Sequence, residues 1–238
     1  MTQFDVTIVS DTSCPWCYIG YRRLQKAISL FQKTYPGGSK DTFNITWKPF
    51  YLKAGLDQEE SVVMNGLSHS HVMVLRLLIE TDRMLDRMGP EQIARAQKHM
   101  NSIGSAEGIT FDWTGKTGKT KQSHQLLELA KTRGSEVQCK VAEELFRLHF
   151  EKQRDITHVQ TIVDAGEAAG LGKAEVLKVL NDEEVGGLVD KEAQKARDDG
   201  ISSVPQFSLQ GGKYPVDGAQ DAMDFFEVFM KIKGQESK

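Results

Sequence analysis

The first fifty residues of this 238-residue chain combine two hydrophobic periods that constrain the fold more than any other feature. Residues 4–9, FDVTIV, are apolar and β-branched, as in a buried strand. Apolar residues then recur at the i, i+3, i+4, i+7 spacing of a helix face: Leu24, Ala27, Ile28 and Phe31. In the next segment apolar and polar residues alternate, as in a half-buried strand: Phe43, Ile45 and Trp47. The segment therefore predicts a parallel strand–helix–strand unit.

The middle of the chain has a different pattern. Between about residues 59 and 199 the sequence predicts helices and almost no strand, including a helix over 71–88. Ser135 and Gln138 have the spacing of a capping box at the start of another helix. This stretch is too long for a loop and indicates a helical insertion.

Strand character returns near the end, over residues 204–217, where QGG separates two short runs and predicts a hairpin. A final helix follows. The order βαβ, helical block, ββα predicts an α/β domain whose two halves, 1–55 and 184–238, form one sheet. The predicted helical insertion spans 56–183.

Charge and hydropathy exclude several classes of function. A net charge of -3 argues against a nucleic-acid or anionic-membrane partner. No window is apolar enough to span a membrane, and the first residues do not resemble a signal peptide. We therefore expect a cytoplasmic protein, in which three cysteines do not make a disulfide framework and a close pair is catalytic or metal-binding.

The close pair is Cys14 and Cys17, in SDTSCPWCYIG. A zinc site commonly needs four ligands, and no second Cys-x-x-Cys is present. A redox role fits the surroundings better, because Cys14 follows a strand and begins a helix, whose N–H groups and dipole favour a thiolate. The thiolate is the nucleophile in disulfide exchange. We expect Cys14 to attack, and the deeper Cys17, one turn on, to resolve the mixed disulfide; no metal is expected.

These motifs resemble a known family. CPWC after FDVTIVSD, together with SVPQF at 203–207, resembles the thioredoxin superfamily, and the helical insertion resembles its DsbA-like branch. Four segments are most similar to the FrnE-type subgroup: DTSCPWCYIG, WKPFYL, TKQSHQLLELA and SVPQFSLQGGKYPVDGAQ. The resemblance implies an α/β thioredoxin fold interrupted by a large all-helical insertion.

The resemblance also implies substrate-binding residues. Pro205 would be cis and face the cysteine pair, and the backbone of Val204 would pair with the substrate chain. Three further candidates for substrate contact are Pro15, Trp16 and His124. One position departs from thioredoxins, which carry a buried acid six residues before the first cysteine. Ile8 stands there, so no buried proton acceptor is expected at that place.

Three functions remain open from the sequence. The first is a thiol–disulfide oxidoreductase that needs no bound cofactor and acts on protein or small-molecule thiols and disulfides. The second is a glutathione-dependent isomerase or transferase of small molecules on the same fold. Glutathione would be the reductant in the first case and the co-substrate in the second. The third is a non-catalytic binding module. A homodimer through the helical block is compatible with each.

Overall fold

The computed structural model describes residues 1–52, 62–64 and 90–236. The strands are β1 Gln3–Ser10, β2 Thr42–Pro49, β3 Val62–Val63, β4 Lys116–Thr117, β5 Gln206–Leu209 and β6 Tyr214–Asp217. The α-helices are α1 Pro15–Thr34, α2 Pro90–Ala106, α3 Lys121–Lys131, α4 Ser135–Phe150, α5 Val159–Ala168, α6 Lys173–Leu180, α7 Glu183–Asp198 and α8 Ala222–Glu236. A short 3-10 helix, Gly38–Lys40, precedes β2.

Four of these strands form one mixed sheet in the order β2-β1-β5-β6. β1 is parallel to β2, with Phe4 opposite Phe43, and β5 is antiparallel to both β1 and β6. The central strand β1 therefore pairs on one side with the strand next in the chain and on the other with a strand about 200 residues later. This arrangement confirms the predicted thioredoxin fold, with helices α2 to α7 between strands β2 and β5 of its sheet.

Aromatic side chains hold α1 and α8 against the sheet. Phe4 stacks on Phe43 with ring centroids 4.7 Å apart, and both rings meet Phe229 edge-on at 5.2 and 5.0 Å. Phe31 of α1 meets Phe229 at 5.5 Å. Such contacts add about 0.5–1.5 kcal/mol per pair beyond area burial, so they fix how the two helices lie on this face of the sheet.

The predicted capping box at Ser135 and Gln138 is wrong. Gly134 is the N-cap of α4, and the two side chains bind strand β2 instead. The Ser135 hydroxyl accepts from the N–H of Ile45 at 2.8 Å, and Gln138 Oε1 accepts from the N–H of Trp47 at 3.0 Å. Because β2 is an edge strand, its outward backbone groups lack a neighbouring strand, and α4 supplies partners for them.

Two sequence predictions lie outside the described residues: the helix over 71–88 and the boundary at 55/56. The other boundary, 183/184, falls at the first residues of α7, and the three-part division stays a prediction. The short β3–β4 ladder was not predicted. Across the described part of the chain, no helix is long and apolar enough to cross a membrane.

Candidate active site

Cys14 occupies the N-cap of α1, at the end of a tight turn that follows β1. Its N–H donates to the carbonyl of Asp11 at 3.0 Å, and Pro15 at the first helical position begins the helix. The buried Asp11 carboxylate fixes this turn, because it accepts from the N–H of Ser13 at 2.9 Å and from the N–H of Leu52 at 2.8 Å. The turn is thereby tied to the chain that leaves β2.

Both cysteines of the motif are free thiols, and both are buried. Cys14 is 2% exposed and Cys17 is 0% exposed. Burial, and then the neighbouring Cys14, raise the pKa of the Cys17 thiol well above its ordinary value. Cys17, one turn further along α1, is the less accessible of the two.

The start of β5 faces the cysteine pair. The peptide bond between Val204 and Pro205 is cis, and the Cys14 thiol donates to the Val204 carbonyl over 3.6 Å. This contact joins residues 190 positions apart, because β5 lies beside β1 in the sheet. Both groups therefore stand at one end of the same sheet, with the sulfur of Cys14 against a backbone acceptor.

Helix α3 places His124 near the same turn. The hydroxyls of Ser123 and Thr12 lie 2.6 Å apart, which holds the first turn of α3 against the residues before Cys14. His124 is 2% exposed. Burial lowers the pKa of its imidazole, whereas the Asp11 charge and a hydrogen bond to the Phe50 carbonyl raise it.

The hydrogen bond of His124 to the Phe50 backbone determines which nitrogen carries the proton in the neutral imidazole. Nε2 is buried and has no hydrogen-bond partner among the described residues, so we assign this bond to Nδ1. The neutral ring then carries its proton on Nδ1 and leaves a lone pair on Nε2. His124 thus offers a buried acceptor beside the turn that contains Asp11.

Two other predicted contact residues lie between the cysteines. Pro15 is buried, and Trp16 is half-buried and packs against the hydrophobic core. The indole is therefore only partly available as a recognition surface. The third cysteine, Cys139, lies on α4, where it accepts from Trp47 Nε1 at 3.5 Å, and burial raises the pKa of its thiol.

Sequence reasoning missed Ser10. This serine ends β1 on the same face as Val6 and Ile8, which are core residues. Its side chain acts on the Cys17 thiol in the direction that lowers the thiol pKa, as does the backbone of Asp11. The signal in the sequence is a polar residue at an inward position of an apolar strand, because buried polar groups on such a face are uncommon.

Among the described residues, no group of three or more His, Cys, Asp or Glu side chains is placed to hold a metal ion. The two thiols are accompanied instead by the hydroxyl of Ser10, the carbonyl of Val204 and the turn fixed by Asp11. This set of groups can stabilise a thiolate and accept a thiol proton in a hydrogen bond, which is the chemistry of sulfur exchange.

Comparison with known proteins places the chain in a family. Over 97% of its length it is similar to a structure described as a probable DsbA oxidoreductase from Streptomyces coelicolor, with 27% identity, 90% of that chain covered and a TM-score of 0.78. A 2-hydroxychromene-2-carboxylate isomerase aligns with 12% identity, 98% coverage of each chain and a TM-score of 0.65.

The cytosolic disulfide reductase DsbM from Pseudomonas aeruginosa, in a structure with glutathione, aligns with 15% identity and a TM-score of 0.57, over 97% of this chain and 99% of that one. The last two likenesses show the fold alone. No curated protein sequence matches the chain. The model of the DSBA-like thioredoxin domain matches residues 5–231, and the chain therefore belongs to that family.

Proposed function

We propose that the protein is a thiol–disulfide oxidoreductase of the FrnE-type subgroup that cycles Cys14 and Cys17 between dithiol and disulfide. The observation that carries the proposal is the position of the pair. Two free thiols lie one turn apart at the N-terminus of α1, and the Sγ of the first contacts the carbonyl of Val204. The unpaired N–H groups of a helix N-terminus favour negative charge on the sulfur of Cys14.

The reaction needs only these two sulfurs and a substrate disulfide. The Cys14 thiolate attacks one substrate sulfur, forms a mixed disulfide and releases the other substrate sulfur as a thiolate. Cys17 then attacks Cys14 Sγ, and the second substrate thiol leaves. Two electrons and two protons pass to the substrate, and the protein keeps a Cys14–Cys17 disulfide. Two equivalents of a thiol such as glutathione then reduce the Cys14–Cys17 disulfide and reset the protein. In a disulfide-forming role, the Cys14–Cys17 disulfide instead accepts two electrons from a substrate dithiol.

The surrounding residues supply a place for the substrate. In the proposal, the Val204 backbone pairs with the substrate chain next to Pro205, while Pro15 and Trp16 border the sulfur of Cys14. His124 offers its Nε2 lone pair to a substrate N–H or O–H group. Two contacts support this arrangement. Cys14, at the end of the turn, contacts the carbonyl of Val204, and Thr12, within the turn, contacts Ser123, the residue before His124.

We place the protein in the cytoplasm, with protein or small-molecule thiols and disulfides as its partners. In the cytoplasm thiols are kept reduced, and a disulfide there is transient and catalytic rather than structural. The likeness to a disulfide reductase named as cytosolic, in a structure with glutathione, supports glutathione as the reductant that resets the pair.

A second candidate is a glutathione-dependent isomerase of small molecules. The alignment with 2-hydroxychromene-2-carboxylate isomerase, which covers 98% of both chains, favours it. The two candidates differ in their need for Cys17, because an isomerase that uses glutathione as co-substrate does not require a resolving thiol. The cysteine pair of this chain makes the oxidoreductase the better supported of the two.

The deciding experiment incubates the reduced protein with glutathione disulfide and follows the products by mass spectrometry. The wild type should form the Cys14–Cys17 disulfide and release two glutathione molecules per chain. Cys17→Ala should stop at a stable glutathione adduct on Cys14, and Cys14→Ser should not react.

Cys139→Ala is the matched control, since it removes a half-buried cysteine away from the pair and should behave as the wild type. The proposal is overturned if the wild type forms no internal disulfide. The isomerase then becomes the leading candidate if Cys17→Ala also retains glutathione-dependent turnover of an aromatic substrate such as 2-hydroxychromene-2-carboxylate.

A further inference from the structure

A cleft separates helix α7 from the face of the sheet that is turned away from α1 and α8. Phe207 of β5 points toward those two helices, because its ring meets Phe225 edge-on at 4.9 Å and lies next to Gly20. Successive side chains of a strand point to opposite faces, so Ser208 points the other way. Thr7, which pairs with Ser208, shares this second face and lines the cleft with it. The cleft is therefore on the opposite side of the sheet from the helix that carries the cysteine pair.

The cleft has the size and the lining of a small-molecule site. Its empty volume is about 590 Å³, within the range of roughly 300–1,000 Å³ that is usual for ligand pockets. The apolar part of the wall is formed by Val9, Ala196 and Ile201, of which the first two are buried. The polar part consists of two hydroxyls and four charged side chains: Thr7, Ser208, Lys48, Glu192, Lys195 and Asp199.

Two of the four charged side chains satisfy each other. Lys195 Nζ donates to both carboxylate oxygens of Asp199, at 2.8 and 2.6 Å. The other two, Lys48 and Glu192, form no ion pair with each other or with any other residue in the described part of the chain, although both line the cleft. One positive and one negative charge therefore remain unpaired at the same cleft.

Glu192 carries the stronger sign of a missing ligand. Its side chain is half-buried, and its Oε2 is buried with no hydrogen-bond partner among the described residues. A buried carboxylate oxygen without a donor is unfavourable, and native structures rarely keep one without a role. Lys48 is exposed and lies too far from this carboxylate to pair with it. The cleft thus offers an acceptor for an ammonium group and a donor for a carboxylate, with space between them.

We propose that this cleft binds a free amino acid with an apolar side chain. The ammonium group of the ligand donates to Glu192 Oε2, its carboxylate accepts from Lys48, and its side chain packs against the apolar wall. A zwitterion matches both unpaired charges at once, whereas an amine or an acid alone leaves one of them unmatched. The site uses neither thiol of the cysteine pair, so the inference goes beyond the proposed redox function.

The test titrates L-leucine into the isotope-labelled, reduced wild type and follows the backbone amide signals by two-dimensional NMR. We expect saturable shifts with a Kd of about 1 mM or lower, within the affinity that so small a ligand can reach. The largest shifts should fall on the residues of the cleft, such as Thr7, Ala196 and Ser208. Isocaproate lacks the ammonium group of leucine, and isoamylamine lacks its carboxylate. Each should bind at least about tenfold more weakly, the size of effect typical for one lost hydrogen bond to a charged group.

Matched variants test the two charges of the cleft. Glu192→Gln should raise the Kd for L-leucine about tenfold. Glu184→Gln, the same change at an exposed position in the first turn of α7, should leave the Kd unchanged. Lys48→Met should also weaken binding, whereas Lys40→Met, at an exposed position before β2, should not. Amide signals away from the cleft should stay in place in all four variants, which separates loss of the site from loss of the fold.

Several results would overturn the proposal. They are the absence of saturable shifts with L-leucine, shifts centred outside the cleft, and binding of isocaproate or isoamylamine as tight as that of leucine. An unchanged Kd in Glu192→Gln would overturn it as well. The redox proposal is tested separately, because Cys14→Ser should bind L-leucine as the wild type does. A wild type that forms no internal disulfide would overturn the proposed function and leave the amino-acid site standing.

Discussion

Gly20 of α1 lies in direct contact with the proline that faces the cysteine pair. A side-chain carbon on Gly20 would stand 3.1 Å from Cγ of Pro205 and 3.0 Å from Cζ of Phe207. These separations are shorter than ordinary van der Waals contact. The absence of a side chain at Gly20 therefore lets the helix that carries Cys14 and Cys17 approach the start of β5.

We expect Gly20→Ala to destabilise the protein even though alanine is the better helix former. Overpacking of a close contact typically costs about 1–3 kcal/mol, which exceeds the gain of about 0.5–1 kcal/mol from the glycine replacement itself. Urea denaturation should show a lower free energy of unfolding, and reduction of glutathione disulfide should slow because Val204 moves relative to Cys14.

The matched control is Gly187→Ala in α7, where no atom lies within 4 Å of the added carbon. This variant should gain stability by about 0.5–1 kcal/mol, the ordinary preference for alanine in a helix. A stabilised Gly20→Ala variant would show that the helix and strand separate without difficulty and that the close approach is not required.

The sequence predicts this fold well where periodicity is strong. Three elements each follow from the spacing of apolar residues: the strand over 4–9, the helix that begins after Cys14, and the strand with alternating Phe43, Ile45 and Trp47. The order of elements predicts that the two ends of the chain share one sheet, but not which strands pair, because no local pattern joins β5 to β1 about 200 residues away.

The details of the site are less predictable, since they depend on tertiary neighbours. Ser135 and Gln138 have the spacing of a capping box. Their side chains instead bind backbone N–H groups of the edge strand β2, which would otherwise lack partners. The depth of Cys14 depends likewise on what surrounds it in the folded chain. The burial of Asp11 has the same origin, because its carboxylate binds the N–H of Leu52, 41 residues away.

Substitution of Gln138 tests the contact between α4 and the edge strand. The Gln138 amide binds both backbone groups of Trp47, accepting from its N–H at 3.0 Å and donating to its carbonyl at 3.3 Å. Gln138→Leu should lower the free energy of unfolding by about 1–3 kcal/mol, because buried backbone groups lose their partners. Gln194→Leu, at an exposed position of α7, should change it by less than about 0.5 kcal/mol. Similar effects of the two variants in urea denaturation would count against the edge contact.

Asp11→Asn tests whether the buried carboxylate holds the turn before Cys14. The carboxylate accepts from Ser13 on one oxygen and from the Leu52 N–H on the other. An asparagine that keeps the first contact points its NH2 group at the Leu52 N–H, so a donor meets a donor. We expect a loss of about 1.5–3 kcal/mol in the free energy of unfolding, typical for hydrogen bonds to a charged group.

The control for this prediction is Asp5→Asn, at an exposed position of β1, the strand that precedes the turn. Its carboxylate contacts only surface side chains in the hydrogen bonds from Gln3 and Asn44. It should change the free energy of unfolding by less than about 0.5 kcal/mol. If Asp11→Asn proves equally neutral, the turn is held by its backbone alone.

His124 gives a prediction for the pH dependence of stability. Burial lowers the pKa of its imidazole below the ordinary value of 6.5, against the opposing effects of Asp11 and the Phe50 carbonyl. Below pH 6.5 the unfolded chain therefore binds a proton at this position that the folded chain does not bind until a lower pH. Stability due to this group is full above 6.5 and falls as the pH decreases toward the folded-state pKa.

The measurement compares urea denaturation at pH 7.5 and pH 5.0 for the wild type, His124→Gln and His99→Gln, the last at an exposed position of α2. The wild type should lose free energy of unfolding on acidification by about 1.4 kcal/mol for each unit by which the folded pKa is lowered within that range. His124→Gln should lack this part of the loss, whereas His99→Gln should retain it. If His124→Gln loses as much stability as the wild type, the imidazole is protonated in the folded protein at pH 5.0. Its Nε2 would then be a donor and could not accept a hydrogen bond from a substrate.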